Sequence, residues 1–306
     1  MNGPRPVPRL GIDLGGTKIE AAVVAPNGSF LFRERCSTPH NDYDGTISAI
    51  AALVDRALQE RPDCAPAVGV AIPGALSPAS GLVKNANSTW LIGRPFDRDL
   101  AAALARPVRV ANDANCFTLS EALDGAGTGA KVVFGIIAGT GLGGGIVVNG
   151  EVLTGAHAIA GEWGHNPLPS PELDERPGPA CYCGRHGCIE TWLSGPALAA
   201  DYARLTGRFQ TPPDIVAAAR HRDPHASQVL DRWLDRFARA LAGIINLLDP
   251  DVVVFGGGLS NIAEIYPALS QRLPAHIFSE TARTPLRPAH HGDSSGVRGA
   301  AWLWNH

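Results

Sequence analysis

Twice in this chain an apolar strand runs into a cluster of glycines and out again into a second apolar strand. The first copy is Gly11-Ile12-Asp13-Leu14-Gly15-Gly16-Thr17 and the apolar run that follows it to Val24. The second lies between Val132 and Val152, where Gly139-Thr140-Gly141 and Gly143-Gly144-Gly145 lead into Ile146-Val147-Val148. Both end in Asn-Gly, at Asn27-Gly28 and Asn149-Gly150, a strong hairpin signal. A supersecondary unit repeated at this separation predicts an internal duplication, two similar α/β halves facing one another. With 306 residues, each half is long enough to bury its own core. Ligands in such arrangements sit in the crevice at the ends of the strands.

The rest of the chain supplies the helices and strands that the duplication needs. Apolar positions Ile47, Ile50, Ala51, Val54 and Leu58 recur at helical spacing over residues 44–60, with Asp44 as the expected N-cap. Residues 68–72 read as a short buried strand closed by Pro73-Gly74. Residues 108–111 read as a strand leading into a helix over 116–123. A long amphipathic helix is expected over 227–248, stopped by Asp249-Pro250. Residues 251–255 then form a buried strand entering a third glycine turn, Gly256-Gly257-Gly258, and residues 296–304 a closing helix. The stretch 170–179 is rich in proline and charge without periodicity and reads as a surface loop.

Composition excludes several classes. A net charge of −3, with Lys and Arg spread thinly, offers no basic stripe for a phosphate backbone, so nucleic acid is not an expected partner. Residues 1–9 carry prolines and arginines but no apolar core of a secretory signal, and read as a loose tail. Glycines and polar residues break every apolar run before it could span a bilayer, so a cytoplasmic protein is expected. Of the six cysteines, Cys36, Cys64 and Cys116 are scattered, while Cys181, Cys183 and Cys188 cluster around glycines; in a reducing compartment that clustering points to metal more than to disulfides.

Glycine turns after apolar strands let backbone N–H groups approach nucleotide phosphates, although each taken singly also reads as a tight hairpin. None has the spacing of a Walker loop or a dinucleotide fingerprint. Asp13, at the end of its strand, either holds a magnesium ion or caps the turn, and Thr17 and Lys18 beyond it either reach a phosphate or are solvated. Asp113, in Asn112-Asp113-Ala114-Asn115, is either a helix N-cap or a base that takes the proton of an attacking hydroxyl. His165 with Cys181, Cys183 and Cys188 forms a ligand set suited to a closed, tetrahedral, structural zinc; the alternative is a group of buried thiols. Glu190, two residues past Cys188, is either a sugar-hydroxyl acceptor or an ordinary helix-start glutamate.

Five motifs together resemble the ROK family of bacterial sugar kinases: Gly11 to Lys18 (GIDLGGTK), Asn112 to Asn115 (NDAN), Gly139 to Gly145 (GTGLGGG), Glu162 to His165 (EWGH) and Cys181 to Glu190 (CYCGRHGCIE). Within the family, Val83 to Trp90 (VKNANSTW), Gly164 to Pro169 and the ending His291 to Trp304 look most like the fructokinase branch. The resemblance implies a two-lobed, actin-like, ribonuclease-H-like α/β fold with an interlobe active-site cleft. It implies ATP and Mg2+ as cofactors, a structural Zn2+ and assembly as a homodimer. It divides the chain into a first lobe at 1–118, completed by a closing helix at about 292–306, and a larger second lobe at 119–291 holding the zinc motif of 165–188.

Carried over residue by residue, Asp113 becomes the catalytic base. Asn87, Asn112, Asp113, Glu162, His165 and Glu190 would bind the sugar. Asp13, Gly15, Gly16, Thr17, Lys18, Thr140, Gly141, Gly256 and Gly257 would line the nucleotide. His165 would then place one ring nitrogen on zinc and the other on a sugar hydroxyl. The expected reaction is transfer of the γ-phosphoryl group of ATP to fructose at its 6-hydroxyl, with N-acetylglucosamine, mannose or glucose as alternative acceptors. A sugar-sensing protein without catalysis is the alternative from another class. The complete cysteine motif, and the short segment before the first strand, argue against the DNA-binding repressors of the family.

Overall fold

The computed structural model describes residues 7–304. Residues 1–6, most of the expected tail, lie outside the described residues, and Arg9 already belongs to the first strand. The chain runs β1 (Arg9–Leu14), β2 (Lys18–Val24), β3 (Phe30–Ser37), α1 (Tyr43–Glu60), β4 (Val68–Ile72), β5 (Ala75–Leu76), β6 (Val83–Lys84), α2 (Phe96–Leu104), β7 (Val108–Asn112) and α3 (Asp113–Asp124). It continues through β8 (Val132–Ala138), β9 (Leu142–Val148), β10 (Glu151–Val152), α4 (Glu190–Leu193), α5 (Gly195–Thr206), α6 (Pro212–Arg220) and α7 (Pro224–Leu248). The last elements are β11 (Val252–Gly256), α8 (Ile265–Arg272), β12 (Leu286–Pro288) and α9 (Ser295–Trp302).

The duplication is visible in the strand orders. One sheet runs β3-β2-β1-β4-β7 and the other β10-β9-β8-β11-β12, the same connectivity used twice. In the first sheet β1, β4 and β7 are parallel and β2 and β3 antiparallel; in the second, β11 is parallel to both β8 and β12. The chain divides into two compact units, one of residues 1–128, 145–160 and 291–306, the other of 129–144 and 161–290. That differs from the boundary expected at 118/119: α3 continues to Asp124 as one helix, and residues 145–160 return to the first unit.

In the first unit the alternation of β1 sorts its side chains between two faces. Leu10, Ile12 and Leu14 enter a core with Ile50, Leu53 and Val54 of α1. Gly11 and Asp13 point the other way, to the face on which α9 lies. That helix touches the sheet and α3 backbone to backbone: a Cβ on Gly69 would stand 1.8 Å from the Ala300 carbonyl oxygen, and one on Gly299 1.7 Å from the Cys116 carbonyl oxygen. Only glycine permits this approach.

Two helix starts differ from expectation for one reason. Asp42, not Asp44, caps α1, its carboxylate accepting the Gly45 N–H at 2.8 Å. Asn112, not Asp113, caps α3, accepting the Ala114 and Asn115 N–H groups at 2.9 and 3.3 Å. A cap must have extended backbone, and in both places the last extended residue comes earlier than the apolar pattern suggests.

In the second unit α7 carries the expected stripe, with Trp233, Phe237 and Leu241 buried, and stops at Asp249 in a left-handed C-cap. Phe237 stacks against Trp233, Trp163 and Phe255 with ring centroids 5.3, 6.0 and 5.7 Å apart. The stretch 170–179 is not simply a surface loop. Its Glu175 is buried and ion-paired with the buried Arg236 and Arg239 at 2.7 and 2.9 Å, which holds its carboxyl down at about 2 despite the cost of burial. No periodic pattern advertises such a pair. Among the described residues no helix is long and apolar enough to cross a membrane.

Gly299→Ala should destabilise the first unit by about 3 kcal/mol, because the added methyl meets main chain that cannot yield. Urea titration of the full chain measures this; an unchanged midpoint would mean that α9 does not rest on α3 through its backbone.

Candidate active site and metal centre

The carboxyl ends of the parallel strands of the first unit collect its polar groups, as open α/β sheets do. Asp13 stands one residue before the end of β1, and Asn112 ends β7 with Asp113 beginning α3. Asn112 spends its amide inside the fold: Oδ1 caps α3 and Nδ2 donates to the Gly74 carbonyl at 3.2 Å. With the cap supplied by Asn112, Asp113 is the first residue of α3, and its Oδ1 also accepts the Ala114 N–H at 2.8 Å. The Gly15-Gly16 turn is closed by the Gly15 N–H on the Lys18 carbonyl at 3.0 Å and braced by the Thr38 hydroxyl on the Gly15 carbonyl at 2.8 Å. Gly16, Thr17 and Lys18 are exposed around it. Asn87 is exposed, while its neighbour Ser88 is buried with its Oγ facing Gly16.

Asp13 is the electrostatically stressed group of this unit. Burial, then repulsion from Asp113 and from Glu20, pushes its carboxyl up to about 7. Glu20 itself is neutralised by Arg33 and Arg35. Lys18 and Arg35 draw the Asp13 carboxyl only partly back down, and the backbone of Gly296 lies against it from α9. A carboxylate held as Asp13 is could take a divalent cation, which would relieve the repulsion and restore ionisation.

In the second unit the two glycine turns at the ends of β8 and β11 lie side by side. A Cβ on Gly257 would come within 2.4 Å of the Ala138 carbonyl oxygen, and the Gly139 carbonyl accepts the Gly195 N–H at 2.8 Å. This brings Thr140 and Gly141 together with Gly256 and Gly257. Glu190 pins the same turn, its Oε2 accepting the Leu142 N–H at 2.8 Å and closing over Gly141. A cavity of about 290 Å³ opens here between Thr140, Cys181, Tyr182, Glu190, Thr191 and Ser194.

His165, Cys181, Cys183 and Cys188 converge, their ligand atoms all within 4.8 Å of one another. The backbone brings them together: the Leu168 N–H donates to the Gly187 carbonyl at 3.0 Å and the Ile189 N–H to the Asn166 carbonyl at 2.8 Å, lacing the histidine strand to the cysteine hairpin. Cys183 Sγ lies 3.6 Å from Cys188 Sγ, and Cys181 Sγ 3.5 Å from His165 Nδ1. Tetrahedral zinc with bonds of about 2.3 Å to sulfur and about 2.0 Å to nitrogen requires edges of about 3.7 and 3.5 Å, which these two pairs match, and three thiols with one imidazole are the donor chemistry that zinc takes. His165 Nδ1 faces the thiols, while Nε2 lies 2.8 Å from the Tyr182 hydroxyl. Glu162 is exposed beside Trp163, whose buried indole donates to the Gly143 carbonyl at 3.1 Å.

The residues missed from sequence are Tyr182, Thr191 and Ser194. Tyr182 had a readable signal, since a side chain between two ligating cysteines is held wherever they are held. Thr191 and Ser194 had none, because hydroxyl residues at a helix start are ordinary caps.

The family model for the ROK family matches residues 9–306. An N-acetyl-D-glucosamine kinase of Shigella boydii is 42% identical over 298 residues, covering 96% of this chain and 98% of its own, and that of Escherichia coli K12 is equally similar. Among solved structures, a ROK hexokinase from Thermus thermophilus has a TM-score of 0.86 at 32% identity, covering 97% of both chains. A ROK glucokinase from Streptomyces griseus, in complex with glucose and AMPPNP, has a TM-score of 0.75 at 28% identity, covering 97% of this chain and 98% of its own. These relatives do not support the fructokinase branch that the stretches at 83–90, 164–169 and 291–304 suggest.

The stress on Asp13 has a measurable sign. An acid whose folded pKa is raised costs nothing below its unfolded value of 3.8, and stability is lost as the pH climbs from there through about 7. Asp13→Asn should therefore match the parent near pH 4 and exceed it at pH 8. The gain should be at most about 4 kcal/mol, less what remaining solvent contact screens. Denaturant titrations of both proteins at the two pH values decide it; equal stability at pH 8 would remove the stress.

The twice-used sheet is that of the actin-like α/β ATPases, the glycine turns and the Cys₃His cluster fall where the motifs predict, and with identity of this level over nearly the whole length the chain belongs to the ROK family of sugar kinases.

Proposed function

We propose that the protein transfers the γ-phosphoryl group of ATP to a hydroxyl of N-acetyl-D-glucosamine in preference to fructose. The observation that carries this reading is the 42% identity over 298 residues to kinases of that amino sugar. Fructose, the acceptor expected from the resemblance of residues 83–90, 164–169 and 291–304, becomes the competing substrate in the test.

Each residue has a part in this reading. Asp113 accepts the proton of the attacking hydroxyl; its place as first residue of α3, with the cap supplied by Asn112, supports that role. Asp13 holds Mg2+, which relieves the crowding of its carboxyl. The turns at Gly15, Gly16, Thr17 and Lys18 and at Thr140, Gly141, Gly256 and Gly257 offer N–H groups and a cation to the phosphates. Asn87, Glu162, His165 and Glu190 bind the sugar, and Asn112, whose Oδ1 caps α3 and whose Nδ2 holds Gly74, adds the second hydrogen of its Nδ2. Phosphoryl transfer gains most from positioning and charge neutralisation, so the rigid seating of these groups matters as much as the base.

His165, Cys181, Cys183 and Cys188 hold a structural zinc, supported by their convergence within 4.8 Å and by two donor pairs at tetrahedral edge lengths. Zinc bound there fixes the hairpin that carries Tyr182 and leads into Glu190, and leaves His165 Nε2 to face the acceptor.

Initial rates with ATP and Mg2+ on equal concentrations of N-acetylglucosamine, fructose, glucose and mannose test the reading. kcat/KM for the amino sugar should lead by at least about tenfold; a lead for fructose overturns the preference. In Asp113→Ala kcat should fall at least about 10²-fold with an unchanged melting temperature, and near-normal turnover would sink the assignment of the base. Metal analysis of protein purified without chelator should give about one zinc per chain, and Cys183→Ser should lose both metal and thermal stability.

A further inference from the structure

We propose that the Tyr182 hydroxyl stands in for a sugar hydroxyl on His165, so that the acceptor must displace it and Tyr182 sets the acceptor affinity. This rests on the reading of His165 as a sugar-binding residue.

An imidazole has two ring nitrogens, and each makes one in-plane hydrogen bond. Nδ1 of His165 faces Cys181 Sγ at 3.5 Å and is committed to the thiol cluster. Nε2 is the nitrogen left over, and the Tyr182 hydroxyl lies 2.8 Å from it. The two rings meet edge to face, centroids 5.0 Å apart and planes at 88°. A sugar hydroxyl that uses Nε2 therefore replaces Tyr182 on it, one hydroxyl for another.

The protein holds the backbone of Tyr182 firmly and its side chain loosely. The Cys181 N–H donates to the Arg185 carbonyl at 2.8 Å, and the Gly184 N–H to the Cys181 carbonyl at 3.0 Å, so the hairpin around Tyr182 is closed. The side chain is 79% exposed, and beyond it opens the cavity shared with Thr140, Glu190 and Ser194. An exposed rotor tethered by one hydrogen bond exchanges fast enough not to slow binding. Its effect is on affinity, because a site occupied by its own side chain binds in proportion to the fraction of time it stands open.

Tyr182→Phe keeps the ring and deletes the competing hydroxyl. With full-length, zinc-loaded protein, calorimetry should show N-acetylglucosamine binding about 2- to 10-fold tighter than in the parent, the worth of one ordinary hydrogen bond. KM should fall in step, with kcat within about twofold. If Tyr182 serves only to hold the histidine tautomer, the same variant binds more weakly; unchanged or weaker binding overturns the proposal.

The parent protein gives a readout that needs no stable variant. With ring-labelled tyrosine, the NMR signal of Tyr182, one of four tyrosines, should shift in parallel with sugar saturation. A signal unmoved at saturating sugar overturns the proposal while leaving the sugar-kinase reading standing. A parent protein that binds none of the hexoses in calorimetry overturns both.

Discussion

Main-chain contact between α9 and the elements beneath it is the constraint on which the first unit depends. Where Gly69 meets Ala300 and Gly299 meets Cys116 there is no room for even a methyl group, so the helix sits at one depth and one register. The same face of the sheet carries Asp13, and the helix opposite carries Asp113. The C-terminal residues thereby set the surroundings of a carboxylate near the N-terminus. Close packing transmits position well because it does not deform gradually. Burial, to which the Gly296 backbone contributes, is the first cause of the raised pKa of Asp13, and repulsion from Asp113 and Glu20 adds to it.

The second unit solves the same problem of fixing a site by other means. Its candidate sugar residues lie on segments with little regular structure, and short loops with exposed backbone do not hold a side chain to within a fraction of an ångström. The cross-links do it instead: Trp163 buried among the aromatics of α7 and β8, Glu175 buried between two arginines, and the Cys₃His cluster tying His165 to the hairpin. Glu190 then carries the rigidity into the glycine turn through the Leu142 N–H.

Much of this was legible in the sequence, and for identifiable reasons. The duplicated strand-glycine-strand pattern is local and repeated, so the common strand order of both sheets follows from it. The cysteine spacing admits few explanations besides a metal. The errors also have causes. The expected cap of α1 at Asp44 falls two residues late, and the cap alternative for Asp113 one residue late, because the apolar period shows where a helix faces the core and not where extended backbone ends. The burial of Glu175 has no local signal, because its ion pair joins residues about sixty positions apart, which no window can see. The resemblance of residues 83–90, 164–169 and 291–304 points to the fructokinase branch, and identity across the whole chain outweighs it.

The sequence by itself determined the repeated strand pattern, the candidate ligand set of His165 with the three clustered cysteines and the candidate groups for a phosphoryl-transfer site, because each is encoded in a few neighbouring residues. Only the tertiary structure decided the state of those groups. That Asp13 is a strained acid, that Asn112 takes the cap and leaves Asp113 at the helix start, and that His165 turns Nδ1 to the thiols and Nε2 to Tyr182 all depend on atoms distant in the chain. Burial, repulsion and hydrogen-bond direction are properties of surroundings, and a sequence names residues without naming their surroundings.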